Sequence, residues 1–271
     1  MSLLQLELRC LLSAQKIGKL ASSMLTIVIP TKNEETYLPV LLKSIRNQTL
    51  QPKEIIVADA HSTDKTRELA QSFGATVIDG GLPAFGRNRG ASFAKTDLLL
   101  FLDADVDLRD PEFLEKAVTE MQKRGLGLAT CDVFPLSDDY IDHFMHKAYN
   151  TYVRAWGSLF PHAPGFCMLV QRDLHNKISG FDESIPFCED HDYAQRFKKI
   201  GKFGFLKSTK IPVSIRRLDR DGRMNIAIKF MLAEMHLAFI GPIKHDKFNY
   251  SFGHGSKEKK EKKKRLFKFS K

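Results

Sequence analysis

The amino-acid sequence predicts an α/β fold: a mainly parallel sheet flanked by helices, with a C-terminal helical appendage. Three observations carry this. First, short β-branched or leucine-rich runs alternate with helix-period segments, the pattern of βαβ units. Second, Leu98 to Leu102 is a continuous apolar run with no helical period, as in a strand buried on both faces. Third, carboxylates follow the apolar runs at Glu34, Asp59, Asp103 and Asp105, so parallel strands bring them to one rim. That rim is where open α/β sheets bind ligands.

The elements follow in order. Leu25 to Ile29 is a β-branched strand ended by Pro30, and Tyr37, Leu38, Leu41, Leu42 and Ile45 recur at helical spacing. Glu54 to Ala58 is the second strand. Ser62 or Thr63 is expected to cap a helix from Lys65 to Phe73, stopped by Gly74. Ala75 to Ile78 is a third strand, a helix opens near Phe85, and the Leu98 run is fourth. Pro111 to Gly125 reads as a helix and Leu126 to Phe134 as a strand. From Asp138 to Phe160, the aromatics Tyr140, Phe144, Tyr149, Tyr152 and Trp156 sit at helical spacing and read as a core-facing stripe. Phe166 to Gln171 is a strand, Tyr193 to Ile200 a helix, and Phe203 to Leu206 and Ile211 to Ile215 two further short strands.

The boundaries read as a leader over 1–23, amphipathic or disordered, a main domain over 24–222, a C-terminal amphipathic helical segment over 223–252 and a disordered basic tail over 253–271. The formal charge of the 271 residues is +10, but nine Lys/Arg against two Glu between Lys257 and Lys271 account for +7 of it. The rest is near neutral, so the basic balance says little about the ligand and gives no support to a specific nucleic-acid partner. Cys10, Cys131, Cys167 and Cys188 form no C-x-x-C pair, so they read as small buried hydrophobes in a reducing, cytoplasmic compartment. The stretch from Asn225 to Ile243 is long enough to span a bilayer, but Glu234 interrupts it. It reads as an amphipathic helix, packed on the domain or lying at the inner face of the cell membrane.

The chemistry centres on Asp103 and Asp105, just past the fourth strand. Carboxylates are costly to bury unless paired or bound to metal. Hard oxygen ligands there suit Mn²⁺ or Mg²⁺, shared with substrate phosphates. A solvated acidic turn before Pro111 is the alternative for D-x-D alone.

Four stretches together resemble the family-two glycosyltransferases of the Rossmann-like GT-A fold. Ile29-Pro30-Thr31-Lys32-Asn33-Glu34 looks like their opening motif, and Ile55 through Asp59 to Asp64 like their V-D-D-G-S-x-D segment. Phe101 to Asp105 looks like their D-x-D, and Gly180-Phe181-Asp182-Glu183 followed by Glu189-Asp190 like their G-G-F-D-E…E-D module. The order covers Met24 to about Arg216. Ala60 and His61 depart from the pattern, and the Q-x-x-R-W of processive synthases is absent, which favours addition of one sugar.

The resemblance implies a metal-dependent, inverting transferase. Its donor would be a nucleotide-diphosphate sugar, UDP-sugar favoured, and its acceptor a hydroxyl on a glycan, a lipid-linked precursor or a small molecule. Asp105 is then the direct metal ligand, while Asp103 meets ribose or the metal through water. Asp59 accepts from a base N–H, and Pro30 and Glu34 wall the base and ribose. Glu34 is otherwise a helix-cap carboxylate. Arg87 and Arg89 reach the phosphates, or pair with carboxylates at the surface. Asp190 is the general base, on a loop before a helix, with Glu189 or Asp192 able to substitute. Arg216 and Arg217 close over phosphates. Two other classes compete. A nucleotidyltransferase wants a Gly-rich basic loop after the first strand, where this chain has Thr31 to Glu35. A non-catalytic protein would bind nucleotide sugars or a membrane surface through its basic tail.

Overall fold

The computed structural model describes residues 24–157 and 159–244. The expected leader over 1–23 and basic tail over 253–271 lie outside the described residues, as does Cys10.

Seven strands form one sheet: β1 (Leu25–Thr31), β2 (Glu54–Asp59), β3 (Thr76–Asp79), β4 (Leu98–Leu102), β5 (Leu128–Pro135), β6 (Cys167–Gln171) and β7 (Phe203–Val213). Their order is β3-β2-β1-β4-β6-β5-β7. β1 pairs in parallel with β2 and β4, β2 with β3, and β5 with β7, while β6 runs antiparallel to both β4 and β5. This is the mainly parallel GT-A arrangement. The reversed β6 has a consequence for the site: its first residue, Cys167, lies opposite Leu102. The loop entering β6 therefore reaches the same rim as the ends of β1, β2 and β4.

The helices are α1 (Leu38–Arg46), α2 (Thr66–Ser72), α3 (Pro83–Phe93), α4 (Phe113–Lys123), α5 (Tyr140–Trp156), α6 (Arg172–Lys177), α7 (Glu189–Phe197), α8 (Arg216–Asp221) and α9 (Arg223–Phe239). β4 shows why both faces are covered. Leu98, Leu100 and Leu102 enter a core shared with α1 and α4, while Leu99 and Phe101 enter a second core shared with α3 and α7. α3 lies close to the sheet because Gly90 has no side chain: a Cβ there would sit 2.2 Å from Val28 Cγ1. That close approach carries Arg87, one turn earlier, to the rim.

Several expectations are corrected. β7 is one strand of 11 residues, bent where its register against β5 shifts between Thr130 and Asp132, rather than two. Ser62 and Thr63 do not cap α2. Ser62 is held by Asp59, and Asp64 accepts from the backbone and hydroxyl of Thr66. Of the aromatic stripe of α5 only Tyr149 packs against the core; Tyr140, Phe144, Tyr152 and Trp156 are exposed, and the buried residues of this helix are Asp142 and Val153. α9 packs on the domain, but it is apolar on its outer side as well as its inner one. Met224, Ile228, Met231, Leu232 and Met235 share its exposed face, whereas Arg223 and Glu234 turn inward. Its inner side packs Ala233, Leu237 and Phe230 against Phe187 and Cys188. Among the described residues, no helix is long and apolar enough to cross a membrane.

Candidate active site

The rim gathers carboxylates from three places: Glu34 after β1, Asp103 and Asp105 after β4, and Glu189 and Asp190 in the first turn of α7. Asp190 thus belongs to the helix itself, not to the preceding loop. Cys188 precedes it with φ +61°, in the left-handed region, and this turn aims both carboxylates inward.

Two arginines meet them. Arg87 of α3 is fully buried; its Nη1 donates to Glu189 Oε1 at 2.5 Å and its Nη2 to Asp103 Oδ1 at 2.8 Å. Its guanidinium lies 5.4 Å from the centre of the Phe181 ring. Arg216 of α8 forms a fork on Glu34, at 2.6 and 2.8 Å, and its Nε donates to Asp105 Oδ2 at 2.8 Å. The end of β7 delivers it there. Val106 bridges Val213, and the Ser214 N–H donates to the Asp105 carbonyl.

Burial dominates the electrostatics. It pushes the Glu34 carboxyl up to about 7, although Arg216 opposes the rise. It raises Asp103 against the pull of Arg87, and Glu189 likewise. Glu34, Asp103, Asp105, Glu189 and Asp190 crowd around the guanidinium groups of Arg87 and Arg216, with Arg217 also acting on Asp103. Asp103 and Asp105 offer the oxygen-only donors that Mn²⁺ or Mg²⁺ takes, so the residues fit such an ion.

Asp190 is positioned by backbone. Its Oδ2 accepts from the Gly165 N–H at 2.6 Å, and its Oδ1 from the His191 N–H at 2.9 Å. Gly165 sits in the loop entering β6, where a Cβ would lie 2.4 Å from Arg87 Nη2 and 3.3 Å from Asp190 Oδ2. Only glycine fits that approach.

The other expected residues lie as follows. Asp59 is buried, and its two oxygens accept from the Ser62 N–H, the Ser62 and Thr31 hydroxyls and Arg67 Nη1 at 2.9, 2.5, 3.0 and 3.2 Å respectively. Together these donors hold the carboxyl below its ordinary value despite burial. Pro30 is at the end of β1, against α3 through Gly86. Glu34 does not cap α1; its backbone carbonyl accepts from the Tyr37 and Leu38 N–H groups, and its side chain goes to Arg216. Arg89 is two residues from Arg87 and turns outward, stacking 4.9 Å over Phe93. Asp192 is spent on Arg196 at 2.7 Å.

Sequence reasoning missed Gly165 and the trio His162, His191 and Glu234. Within the trio, His162 Nε2 lies 2.7 Å from Glu234 Oε2 and His191 Nδ1 lies 2.9 Å from Glu234 Oε1, and His191 directly follows Asp190. No local pattern links residues 162, 191 and 234.

Residues 26–179 match the family model described as glycosyl transferase family 2. A 4,4'-diaponeurosporenoate glycosyltransferase of Staphylococcus haemolyticus (strain JCSC1435) is 38% identical over 114 residues, which is 38% of this chain and 30% of that protein. Its counterpart in Staphylococcus aureus (strain bovine RF122 / ET3-1) is 33% identical over 129 residues, 44% of this chain and 34% of that one. The match thus spans about a third of the length of these curated relatives. Among solved structures, the mannosyltransferase PcManGT of Pyrobaculum calidifontis, in complex with GDP-Man and Mn²⁺, superposes with a TM-score of 0.65 at 17% identity over 88% of this chain and 74% of that one. S. aureus TarS 1-349 in complex with UDP gives 0.58 at 17% identity over 80% and 72%. These two share the fold. The family model covers more than half of the sequence, and the chain belongs to glycosyl transferase family 2.

Proposed function

We propose that the chain transfers one sugar from a nucleotide-diphosphate sugar to an acceptor hydroxyl, with inversion and with a divalent cation. One observation carries the reading: a pair of aspartates, a buried Glu34–Arg216 fork and an oriented Asp190 converge on a single sheet rim. The reaction makes three demands there: neutralising the leaving diphosphate, holding the nucleotide and accepting the acceptor's proton.

Asp105 would hold the ion, with Asp103 on ribose or on the ion through water. A divalent ion so held supplies Lewis-acid neutralisation of the diphosphate. Pro30 and Glu34 wall the nucleotide. Asp59 contacts a base N–H by exchanging its longest present donor, Arg67 at 3.2 Å. Asp190 takes the proton from the acceptor hydroxyl as its oxygen bonds to the anomeric carbon. The bond to the diphosphate breaks on the opposite face, and the proton leaves later to solvent. The Gly165 and His191 N–H groups fix which Asp190 lone pairs face the acceptor.

UDP is favoured as the nucleotide. TarS 1-349 and glucosyl-3-phosphoglycerate synthase from Mycobacterium tuberculosis are both described in complex with UDP, the latter with Mn²⁺, although PcManGT holds GDP-Man. A thermal-shift screen of UDP- and GDP-sugars with and without Mn²⁺ tests the reading. One donor should raise Tm only with the ion, and Asp105→Ala should lose both that shift and turnover. Turnover of a nucleoside triphosphate with a sugar phosphate would instead establish a nucleotidyltransferase.

The acceptor side has an apolar surface, which supports attachment to an anionic bilayer and a membrane-borne acceptor. α5 and α9 lie side by side, joined by Arg223 to Asp142 at 2.7 Å and by Tyr152 to Glu234. Both present apolar side chains outward, and exposed apolar area of this kind supports an interaction site. Basic residues near an anionic surface add about 1 kcal/mol each. Binding to anionic vesicles should fall with salt and fall again on truncation after Gly255. Protein that stays in the supernatant at low salt overturns this attachment.

A further inference from the structure

His162, His191 and Glu234 come from the loop after α5, from α7 and from α9. One ligand atom from each lies within 4.8 Å of the others, and both imidazoles are buried. His162 Nδ1 is 2.7 Å from the Phe160 carbonyl, an acceptor only, so this nitrogen carries the proton. That leaves the Nε2 lone pair facing Glu234 Oε2, itself an acceptor, at 2.7 Å. Two acceptors at that distance need a positive charge between them. His191 adds a second, independent sign. Its Nδ1 is 2.9 Å from Glu234 Oε1, yet off the line a hydrogen bond requires, so this buried nitrogen has no hydrogen-bond partner.

We propose that His162, His191 and Glu234 form a binding site for one divalent transition-metal ion, Zn²⁺ by donor type, separate from the Asp103–Asp105 pair. Two imidazoles and a carboxylate with one open position is a zinc donor set. The Phe160 carbonyl plays the part that outer partners play for metal-bound histidine, fixing tautomer and ring orientation. Ligand atoms about 2.0–2.2 Å from an ion lie about 3.3–3.6 Å apart when tetrahedral. The contacts at 2.7 Å to Oε2 and 2.9 Å to Oε1 would open by about 0.4–0.9 Å, and ligand separations of up to 4.8 Å would close by about 1.2–1.5 Å, to admit it. Asp190 and Glu189 lie beside His191 and add negative potential that favours a cation. The ion would pin α9 and the Gly165 loop to α7, one residue from Asp190, so its role is to position that carboxylate. The alternative occupant of the same charge deficit is protons on the imidazoles.

The test needs no nucleotide sugar, so it stands or falls apart from the transferase reading. Full-length protein is freed of metal by dialysis against chelator and titrated with ZnCl₂ by calorimetry, with bound zinc counted by elemental analysis. One equivalent should bind in Asp105→Ala, and at least one in the unaltered protein, whose Asp103–Asp105 pair can take a second ion. Affinity should fall at least about 100-fold in Glu234→Gln and in His162→Gln, the upper end of what even outer-shell changes cost. Far-UV circular dichroism checks that both variants fold. If either does not, Co²⁺ in the unaltered protein gives the answer, since low-coordinate Co²⁺ on nitrogen and oxygen absorbs strongly in the visible. Failure to bind zinc, zinc lost in Asp105→Ala but kept in Glu234→Gln, or only the weak spectrum of hydrated Co²⁺ overturns the proposal.

Discussion

Arg216→Ala probes the rim most directly. The side chain is 19% exposed and holds Glu34 through contacts of 2.6 and 2.8 Å and Asp105 through one of 2.8 Å. Removing one partner of a buried pair costs about 3–5 kcal/mol, because the other charge stays buried without compensation. Here the cost depends on pH. The native Glu34 carboxyl is raised from 4.5 to about 7, chiefly by burial. A raised carboxyl means the native state binds the extra proton, so this group's contribution is full below about pH 4.5 and is lost as pH climbs through the native value. Arg216 limits that rise. Without it the native value climbs further, and stability keeps falling above pH 7. At about pH 5 Glu34 is neutral with or without Arg216, and the loss reduces mainly to the Asp105 contact, about 1.5–3 kcal/mol for a charged hydrogen bond. At about pH 8 the full 3–5 kcal/mol should appear, a large share of the 5–15 kcal/mol typical of a domain. Urea unfolding with chelator present, at both pH values, measures the difference. A loss below about 1 kcal/mol at the higher pH, or the same loss at both, refutes the reasoning.

Three further outcomes are expected. Asp190→Asn keeps the shape and removes the proton acceptor, so turnover should fall by roughly 10²–10⁴-fold while the donor-induced thermal shift stays; lost donor binding with intact turnover would move this residue into the nucleotide pocket. Gly165→Ala places a methyl 2.4 Å from the clamped Arg87 guanidinium, so the loop must retreat from Asp190; turnover should drop at least about tenfold from misplacement of the base, and unchanged kinetics would show that the backbone contact does not orient it. Glu120 is pushed up by burial, but the Ser208 hydroxyl, the Ser208 and Lys207 N–H groups and Arg124 together pull it down to about 2. Glu120→Gln should therefore cost about 2–3 kcal/mol at neutral pH, shrinking as pH falls from about 4.5 toward 2; an equal loss in acid, followed by chemical denaturation, would mean the charge is not what joins α4 to β7.

The sequence by itself determined the alternation of strands and helices through β6 and the placing of Glu34, Asp59, Asp103 and Asp105 at one rim, but not the short helices α6 and α8 or the single strand β7. Those features rest on local periodicity and on the rule that parallel strands end together, and both are written within a few residues of each element. The motif resemblance added Asp190. What only the tertiary structure decided are pairings across long chain separations. Arg216 grips Glu34 from 182 residues away, Arg87 grips Glu189 from 102, and Glu234 meets His162 from 72. No local pattern encodes such partners, because a charged side chain reads the same whether solvent or an opposite charge awaits it. The helices α5 and α9 show the same limit. Helical spacing placed the aromatics of α5 in one helix, but not which of them the core covers. Coverage depends on where the sheet lies, and in both helices the charged residues, Asp142, Arg223 and Glu234, take the inner side because buried partners are there to receive them.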